Sequence, residues 1–434
     1  MVNFACLTAS ENTMLNVRSI TILIAATMAG AWTTSTPADA GGEWSIEPRL
    51  SIQRQETGAV KVDRRVYVFG GLLPEFPWVA TDTVEIFDAD TNTWSTGPAM
   101  PEARDHMGVA AFGDHVYVIG GYNGDFLERD TVWVLDTVTG EWADGPRLPE
   151  ARGAGWAVTV ADRIYYFGGT RASGSLASTT YILDPIAGEW SQGADLPTPR
   201  EHLNAVALNG FIHVLGGRAP DETDAHERYD PINDEWVSLA PMPTARSAIA
   251  CAVIDDQIVA CGGTRAPGVG GGAYRVTEIY DPAADDWTRQ APMIFPRHGL
   301  AAVNLDGRLF IPGGGQGSGL GPTDWVDSFT PGPTLRVQGR CPGPATLLAS
   351  KNAPQARVTF AFAFGQGSLI IPSGFPCTGI ETGLDRTARI GGTARSDSNG
   401  VARFDAMLPS NACGSIVIQA IDIDRCRTSN LVKP

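Results

Sequence analysis

The chain has 434 residues, of which 50 are Gly and 30 are Pro. This share of turn-forming residues is high for a helical protein but lies below the roughly 25–30% that marks low-complexity disorder. Hydrophobic residues at 43% are ample for a core, and the length allows two or three ordinary domains. The formal net charge of −16 makes nucleic-acid phosphate and anionic membranes poor partners. We therefore expect a globular, turn-rich chain that does not bind nucleic acid.

The first forty residues have the pattern of an export signal. A short start at Met14 with Arg18 is followed by an apolar run over 20–32 and by an A-x-A cleavage pattern at 38–40. The run is too short to span about 30 Å of hydrocarbon. We expect residues 1–40 to be a bacterial signal peptide, with the true start at Met14, and the mature chain to be secreted or periplasmic without a transmembrane segment. An uncleaved membrane anchor is the alternative.

The cysteines agree with export. Four of the seven lie in the C-terminal quarter, at Cys341, Cys377, Cys413 and Cys426. An even, local set in an oxidising compartment predicts two disulfides, with three possible pairings. A zinc site is the alternative, but this region has neither a C-x-x-C pair nor a histidine. Cys251 and Cys261 flank a two-Asp turn, and we expect them to be free buried thiols.

The middle of the chain repeats one unit six times. In every copy a Trp precedes an Arg by ten positions, and the Arg precedes a Gly-Gly doublet by sixteen. The tryptophans are Trp44, Trp94, Trp142, Trp190, Trp236 and Trp287; the arginines are Arg54, Arg104, Arg152, Arg200, Arg246 and Arg297. The doublets are Gly70-Gly71, Gly120-Gly121, Gly168-Gly169, Gly216-Gly217, Gly262-Gly263 and Gly313-Gly314. Their spacing of 46 to 51 residues is that of a repeat architecture.

Each unit reads as four short strands. A β-rich run such as VYVFGG ends at the doublet, a turn separates it from an earlier apolar strand, and a further strand ending in Asp follows. A four-stranded meander cannot bury both faces alone, whereas copies stacked around an axis can. The pattern therefore predicts a β-propeller in which the Trp lies between adjacent sheets, while the Arg and the Asp hold turns and neighbouring blades by hydrogen bonds.

The doublet, the aromatic strand and the spaced Trp resemble kelch repeats over residues 41–330. The sixth copy has Arg336 where a Trp strand is due, so we expect the strand of Trp44 to complete that blade. From 331 to 434 the period is lost while short strands continue, which predicts a disulfide-containing β-sandwich similar to modules appended to exported bacterial proteins. The expected fold is all-β: a six-bladed kelch-type β-propeller closed by the N-terminal strand, then a small β-sandwich domain.

The resemblance implies a ligand site on the propeller face, where the loops entering the inner strands and the loops after the doublets surround the channel. The candidate binding residues in these loops are Glu56, His106, Arg171, His202, Arg218, Arg265 and His298. Because Arg presents a planar fork to a carboxylate, this set suits a ligand with one anionic group and several hydroxyls. Ordinary solvated loop residues are the alternative.

Two classes of function remain open. The first is a non-catalytic recognition protein whose propeller face binds a protein or a glycan. The second is a carbohydrate-active enzyme. A sialic acid mutarotase-like enzyme would use an acid, Glu56 or Glu201, with Arg218. A galactose oxidase-like copper enzyme would need a Cys crosslinked to a Tyr, for which the strand positions of Cys251 and Cys261 are unsuitable.

Known catalytic signatures are missing from the sequence. It has no Walker loop, no dinucleotide fingerprint in a strand-to-helix context, no G-x-S-x-G elbow and no H-E-x-x-H pair. We therefore favour binding over catalysis and assign no catalytic residue, no cofactor and no metal site.

The charge is divided unequally between the two predicted domains. Residues 41–330 carry 20 basic and 40 acidic side chains, whereas residues 331–434 carry 11 basic and 6 acidic ones. If either part contacts an anionic cell surface, we expect it to be the C-terminal domain.

Overall fold

The computed structural model describes residues 41–264, 272–317, 319–339, 341–350, 352, 355–371, 373, 376–398, 400–429 and 432. The predicted signal peptide and the candidate binding residue Arg265 lie outside these residues. From residue 41 onward the described chain forms one compact all-β unit. None of its elements is a helix with the length and apolarity needed to cross a bilayer.

The first 24 strands form six four-stranded antiparallel sheets, the blades. The N-terminal strand is β1 (Glu43–Ile46). Blade 1 contains β2 (Gly58–Val62), β3 (Arg65–Phe69), β4 (Val84–Asp88) and β5 (Thr93–Thr96). Blade 2 contains β6 (Gly108–Phe112), β7 (His115–Ile119), β8 (Val132–Asp136) and β9 (Trp142–Asp144). Blade 3 contains β10 (Trp156–Val160), β11 (Arg163–Phe167), β12 (Thr180–Asp184) and β13 (Glu189–Gly193).

The remaining blades follow the same order. Blade 4 contains β14 (Asn204–Leu208), β15 (Phe211–Leu215), β16 (His226–Asp230) and β17 (Glu235–Ser238). Blade 5 contains β18 (Ala250–Ile254), β19 (Gln257–Cys261), β20 (Thr277–Asp281) and β21 (Asp286–Arg289). Blade 6 contains β22 (Val303–Leu305), β23 (Arg308–Pro312) and β24 (Val326–Thr330), and its fourth strand is β1. The apolar cores lie between neighbouring blades: Phe69 of blade 1, for example, belongs to one cluster with Val118 and Trp133 of blade 2.

The N-terminal strand closes the ring, as the sequence predicts. β1 runs antiparallel to β24, with Glu43 opposite Thr330 and Trp44 opposite Phe329. The six-bladed propeller is therefore sealed by pairing the two ends of its own repeat segment.

Each recurrent Trp links its blade to the preceding blade by a hydrogen bond. The Nε1–H group donates to the carbonyl of the residue four positions after the preceding blade's Trp. The pairs are Trp94–Pro48, Trp142–Pro98, Trp190–Pro146, Trp236–Ala194 and Trp287–Ala240. Trp44 completes the circle by donating to Ala291 at 2.9 Å.

The six recurrent arginines are fully buried and serve the fold. The carbonyl of Arg104 accepts the N–H of Gly71 at 2.8 Å, and the same bond recurs between all neighbouring blades, including Gly314 to Arg54. A Cβ atom on Gly70 would lie 2.1 Å from the Arg104 carbonyl, so only glycine fits the first doublet position there. The guanidinium of Arg246 pairs with the equally buried Glu278 at 2.8 Å.

The recurrent Asp residues close the turns between the third and fourth strands. The Oδ1 atom of Asp88 accepts the N–H groups of Asp90 and Thr91, both at 3.0 Å. The same turn is formed at Asp136, Asp184 and Asp230. In the structure, therefore, the Trp and Arg positions link neighbouring blades and the Asp positions close turns.

The described residues of the C-terminal segment form nine strands. They are β25 (Thr334–Gly339), β26 (Gly343–Ser350), β27 (Arg357–Ala363), β28 (Gln366–Ile370), β29 (Glu381–Leu384), β30 (Arg389–Arg395), β31 (Ala402–Leu408), β32 (Val417–Asp422) and β33 (Arg427–Thr428). The sheets have the orders β25-β26-β31, β30-β27-β32-β33 and β28-β29. The two larger sheets share one core that includes Leu347, Phe360 and Ile418, which is the arrangement of a β-sandwich.

Two disulfides join strands and loops of this segment. Of the three possible pairings, the structure has Cys341–Cys413 and Cys377–Cys426. Cys251 and Cys261 are free and buried, as the sequence predicts.

Candidate functional site

Six residues, each two positions after a recurrent Arg, form a ring around the channel. They are Glu56, His106, Ala154, His202, Ala248 and Gly299, and all have φ between 50° and 61°. Five consecutive N–H···O=C bonds connect the members, such as His106 N to Glu56 O at 3.1 Å and Glu56 N to Gly299 O at 3.0 Å. All six residues line a narrow cavity on the axis. Non-glycine residues held in the left-handed region are strained and cluster at functional sites.

The loops that follow the Gly-Gly doublets lie against this ring. Each residue directly after a recurrent Arg forms an antiparallel bridge with the residue directly after the doublet of the same blade, as in Asp105 with Tyr122 and Glu201 with Arg218. The predicted meeting of the two sets of loops at the channel mouth is therefore what the fold produces.

Five predicted binding residues line one cavity of about 130 Å³ at the channel mouth. We call this set, consisting of Glu56, His106, His202, Arg218 and His298, the channel cup. Arg171 is not part of it: its side chain binds Glu150 at 3.3 Å and the Leu176 carbonyl at 2.6 Å.

The three histidines of the channel cup are oriented by bonds at Nδ1. His106 Nδ1 lies 2.5 Å from Asp105 Oδ1, His202 Nδ1 bonds the Glu201 carboxylate, and His298 Nδ1 donates to the Gly315 carbonyl at 3.0 Å. A neutral imidazole that donates through Nδ1 keeps Nε2 as a free acceptor. Nε2 of His106 is 3.5 Å from Glu56 Oε2, and Nε2 of His298 is 3.9 Å from Glu56 Oε1.

Glu56 is the negative centre of the channel cup. Burial opposes ionisation, but the facing histidines and Arg218 outweigh it and hold the pKa of Glu56 below its usual value. Burial also opposes protonation of His106, yet Glu56 and Asp105 raise the pKa of that imidazole. For His298 burial wins, and its pKa is lowered. A Cβ atom on Gly299 would lie 2.5 Å from Glu56 Oε1, so the carboxylate occupies space that only a glycine leaves open.

Arg218 is already paired. Its Nε donates to Glu201 Oε1, and its Nη2 lies 3.2 Å from Glu201 Oε2 and 2.9 Å from His202 Nδ1. Burial raises the pKa of Glu201, but His202 and Arg218 reverse this and lower the pKa to about 2. The guanidinium fork that the sequence assigns to an anionic ligand is therefore engaged by the protein's own carboxylate.

An apolar surface borders the channel cup and was missed by the sequence analysis. We call Phe76, Trp78, Val79, Phe126 and Leu127 the aromatic rim. Trp78 and Phe126 belong to different blades' loops, contact each other edge to face at 5.6 Å and also line the cavity. Phe76 is 82% exposed and Leu127 is 61% exposed. Both loops directly follow Gly-Gly doublets, which is the signal that could have indicated these residues.

The repeats and the polar channel mouth define a six-bladed β-propeller whose blades are linked by Trp, Arg and Gly-Gly. The family described as "KLHDC2/KLHL20/DRC7 Kelch-repeats domain" matches residues 56–263, and the family described as "Kelch motif" matches residues 245–294. The chain belongs to the kelch-repeat family.

Similar proteins match this chain over only part of their length. Human Kelch-like protein 28 is 38% identical over 80 residues, which are 17% of this chain and 14% of that protein. Kelch-like protein 23 from Pongo abelii is 29% identical over 254 residues, 57% of this chain and 43% of that protein. The chain thus spans less than half of these relatives. The solved structure of YjhT has a TM-score of 0.56 at 15% identity, covering 71% of this chain and 98% of YjhT, which shows a shared fold.

Proposed function

We propose that this protein is an exported, non-catalytic recognition protein that binds a protein ligand at the channel mouth. The observation that carries the proposal is the aromatic rim next to the channel cup. Exposed apolar clusters edged by polar groups mark interaction sites on soluble proteins, and aromatic residues are enriched at binding hot spots. Membership in the kelch-repeat family supports a role in protein interaction.

The size of the cavity favours a protein ligand over a small molecule. Sites that enclose a small molecule usually have about 300–1,000 Å³, whereas the cavity at the channel cup has about 130 Å³. A space of this size suits one inserted side chain, while the aromatic rim contacts the surrounding surface of the partner. The charged groups of the channel cup would then select a polar or charged side chain.

The proposed export rests on the predicted signal at residues 1–40 and is supported by the disulfides. Two disulfides in a segment of this size are typical of proteins that fold in an oxidising compartment. The basic excess of residues 331–434 makes that segment the part we expect to contact an anionic cell surface.

The recognition proposal can be tested by selecting peptides from a random display library on the full-length, disulfide-bonded protein. We expect selected peptides to bind Phe126→Ala and Trp78→Ala at least about 10-fold more weakly, because hot-spot aromatics contribute about 2 kcal/mol or more. Ile232→Ala is the matched control, since Ile232 is 92% exposed but lies in the turn between β16 and β17. Peptides that bind both rim variants and the parent equally would place recognition elsewhere. A glycan array that yields rim-dependent ligands, while the peptide library yields none, would contradict a protein ligand.

A carbohydrate-active enzyme on the same face is the second candidate. It is favoured by one observation: Glu56, Glu201 and Arg218 converge, and acid–base chemistry needs such convergent groups. Against it, an acidic sugar would have to displace Glu201 from Arg218. Following the anomers of N-acetylneuraminic acid by NMR with and without the protein tests this candidate, and an unchanged interconversion rate would remove it.

A further inference from the structure

We propose that the channel cup binds one divalent transition-metal ion, of which Zn²⁺ is the probe, through His106, His202 and Glu56. One ligand atom from each of these residues can be chosen so that all lie within 4.8 Å of one another. Two imidazoles and a carboxylate are ligands that zinc and its neighbours in the first transition row prefer, whereas Ca²⁺ and Mg²⁺ prefer oxygen alone. This site goes beyond the recognition function and does not depend on it.

The separation between the ligand atoms of His106 and Glu56 fits a metal of this size. Zinc binds nitrogen and oxygen at about 2.0–2.2 Å, so neighbouring ligands of a tetrahedral site lie about 3.3–3.5 Å apart. His106 Nε2 and Glu56 Oε2 are 3.5 Å apart. The three ligands come from blades 1, 2 and 4, and the ring of backbone hydrogen bonds at the channel fixes their positions. The backbone that carries the three ligands is therefore in place before any ion arrives.

The outer partners of the histidines are those of metal-binding histidines. A histidine that binds a metal through one ring nitrogen usually donates its other N–H to a carboxylate or a carbonyl, which fixes the tautomer and the ring orientation. His106 has Asp105 in this position, and His202 has Glu201. Asp105 is fully buried, and its second oxygen accepts the Gly124 N–H at 2.7 Å. In this arrangement Nε2 of His106 faces Glu56, and Nε2 of His202 faces the channel-cup guanidinium of Arg218.

The charges of the site balance a divalent cation. Among the described residues of the site, Glu56, Asp105 and Glu201 oppose one guanidinium, that of Arg218. With neutral histidines the cluster therefore has an excess of two negative charges in a largely buried setting, where uncompensated charge is costly. One divalent ion neutralises this excess.

The arrangement leaves room for a further ligand of the ion. Three protein ligands and an open position are typical of zinc sites that bind water or a ligand group, and here the cavity lies in front of the site. One existing contact must yield, because Arg218 Nη2 lies 3.3 Å from His202 Nε2. The guanidinium retains its bonds to Glu201 when that contact is lost.

The test is metal titration of the full-length, disulfide-bonded protein after chelator treatment. We expect one Zn²⁺ per chain by calorimetry and elemental analysis. We also expect Co²⁺ to give a visible absorption spectrum of nitrogen and oxygen ligation without a thiolate charge-transfer band. Ca²⁺ and Mg²⁺ should not compete at equal concentration.

Variants separate the site from adventitious binding. Asn tolerates the left-handed backbone of positions 106 and 202, so His106→Asn and His202→Asn should remain folded and lose affinity by more than about 100-fold. Glu56→Gln keeps the side-chain shape and should also lower the affinity for Zn²⁺ by more than about 100-fold. Asp105→Asn should lower this affinity by about 10-fold, which is the lower end of the effect of residues that orient a metal ligand. His115→Ala is the matched control, because His115 is exposed on β7.

Each outcome decides the proposal. Absence of stoichiometric Zn²⁺ would overturn it, as would Zn²⁺ binding that survives in folded His202→Asn and Glu56→Gln proteins or disappears in His115→Ala. Peptide binding measured in chelator is a separate readout, so failure of the metal site and failure of the recognition function are distinguishable.

Discussion

The closure of the ring by β1 gives the sharpest stability prediction. Deleting residues 41–46 removes the four-residue pairing with β24 and the side chain of Trp44. That side chain packs against Phe329 with ring centroids 5.2 Å apart and donates to the Ala291 carbonyl at 2.9 Å. The deletion therefore breaks both the strand pairing and the Trp link that seal blade 6.

The magnitude follows from these contacts. A backbone hydrogen bond contributes about 0.5–1.5 kcal/mol, an aromatic pair adds about 0.5–1.5 kcal/mol, and burial of part of a Trp ring contributes about 1–2 kcal/mol. Together they predict a loss of about 5 kcal/mol in the free energy of unfolding, which corresponds to about 10 °C in Tm for a domain of this size. Trp44→Phe removes mainly the hydrogen bond and should cost about 1 kcal/mol.

The assay is thermal unfolding by circular dichroism, with hydrogen exchange of the β24 amides as a local readout. Trp142→Phe is the matched control, because Trp142 makes the same bond to Pro98 within the continuous chain. Deletion of residues 41–46 should also speed exchange along β24, whereas Trp142→Phe should not. A deleted protein that unfolds at the parental temperature with protected β24 amides would refute closure by this strand.

Three further predictions concern buried charge, buried histidines and disulfides. His226 donates Nδ1–H to a backbone carbonyl and accepts from His213 Nδ1 at 2.8 Å, and burial lowers the pKa of His213 to about 3 and of His226 to about 4. Since the unfolded chain protonates histidine near pH 6.5, the free energy of unfolding should fall by about 1.4 kcal/mol per pH unit for each histidine as the pH falls from 6 to 4. Urea unfolding at several pH values should show a shallower dependence of this free energy on pH for His226→Gln. An unchanged dependence would contradict the prediction. Arg246→Ala should lower the free energy of unfolding measured in urea by about 3–5 kcal/mol, because it leaves the buried Glu278 charge without its partner. Arg65→Ala removes an exposed ion pair and should lower the same free energy by less than about 1 kcal/mol. Equal losses in the two variants would refute the distinction. Reducing the two disulfides should destabilise the C-terminal segment by about 2–5 kcal/mol. Calorimetry should show a lower unfolding temperature for this segment and an unchanged unfolding temperature for the propeller. A lower unfolding temperature of the propeller alone would contradict the prediction.

The candidate site was only partly predictable. Its position on the propeller face followed from the resemblance to kelch propellers, and the repeat then identified the residues after each Arg as neighbours at the channel. The sequence thus brought His106 and His202 to one mouth together with Glu56. The sequence did not indicate that Nδ1 of His106 and Nδ1 of His202 are each bonded to the carboxylate of the preceding residue. These bonds depend on side-chain rotamers at a left-handed backbone. The pairing of Arg218 with Glu201 was missed for the same reason.

What the sequence determined by itself is the periodic part of the molecule. The spacing of Trp44, Arg54 and Gly70 recurs in six copies, and a repeated local pattern has the same strands, turns and blade contacts each time it occurs. The number of blades and the closing strand follow from counting copies and finding the one that lacks its Trp.

Tertiary structure alone decided the non-periodic features. The disulfide pairs Cys341–Cys413 and Cys377–Cys426 join residues 72 and 49 positions apart, and no local pattern selects them from the other pairings. The edge-to-face contact between Trp78 and Phe126 likewise depends on the distance between the loops of two neighbouring blades. Such distances are set by the packing of whole blades, so no short stretch of the chain reports them.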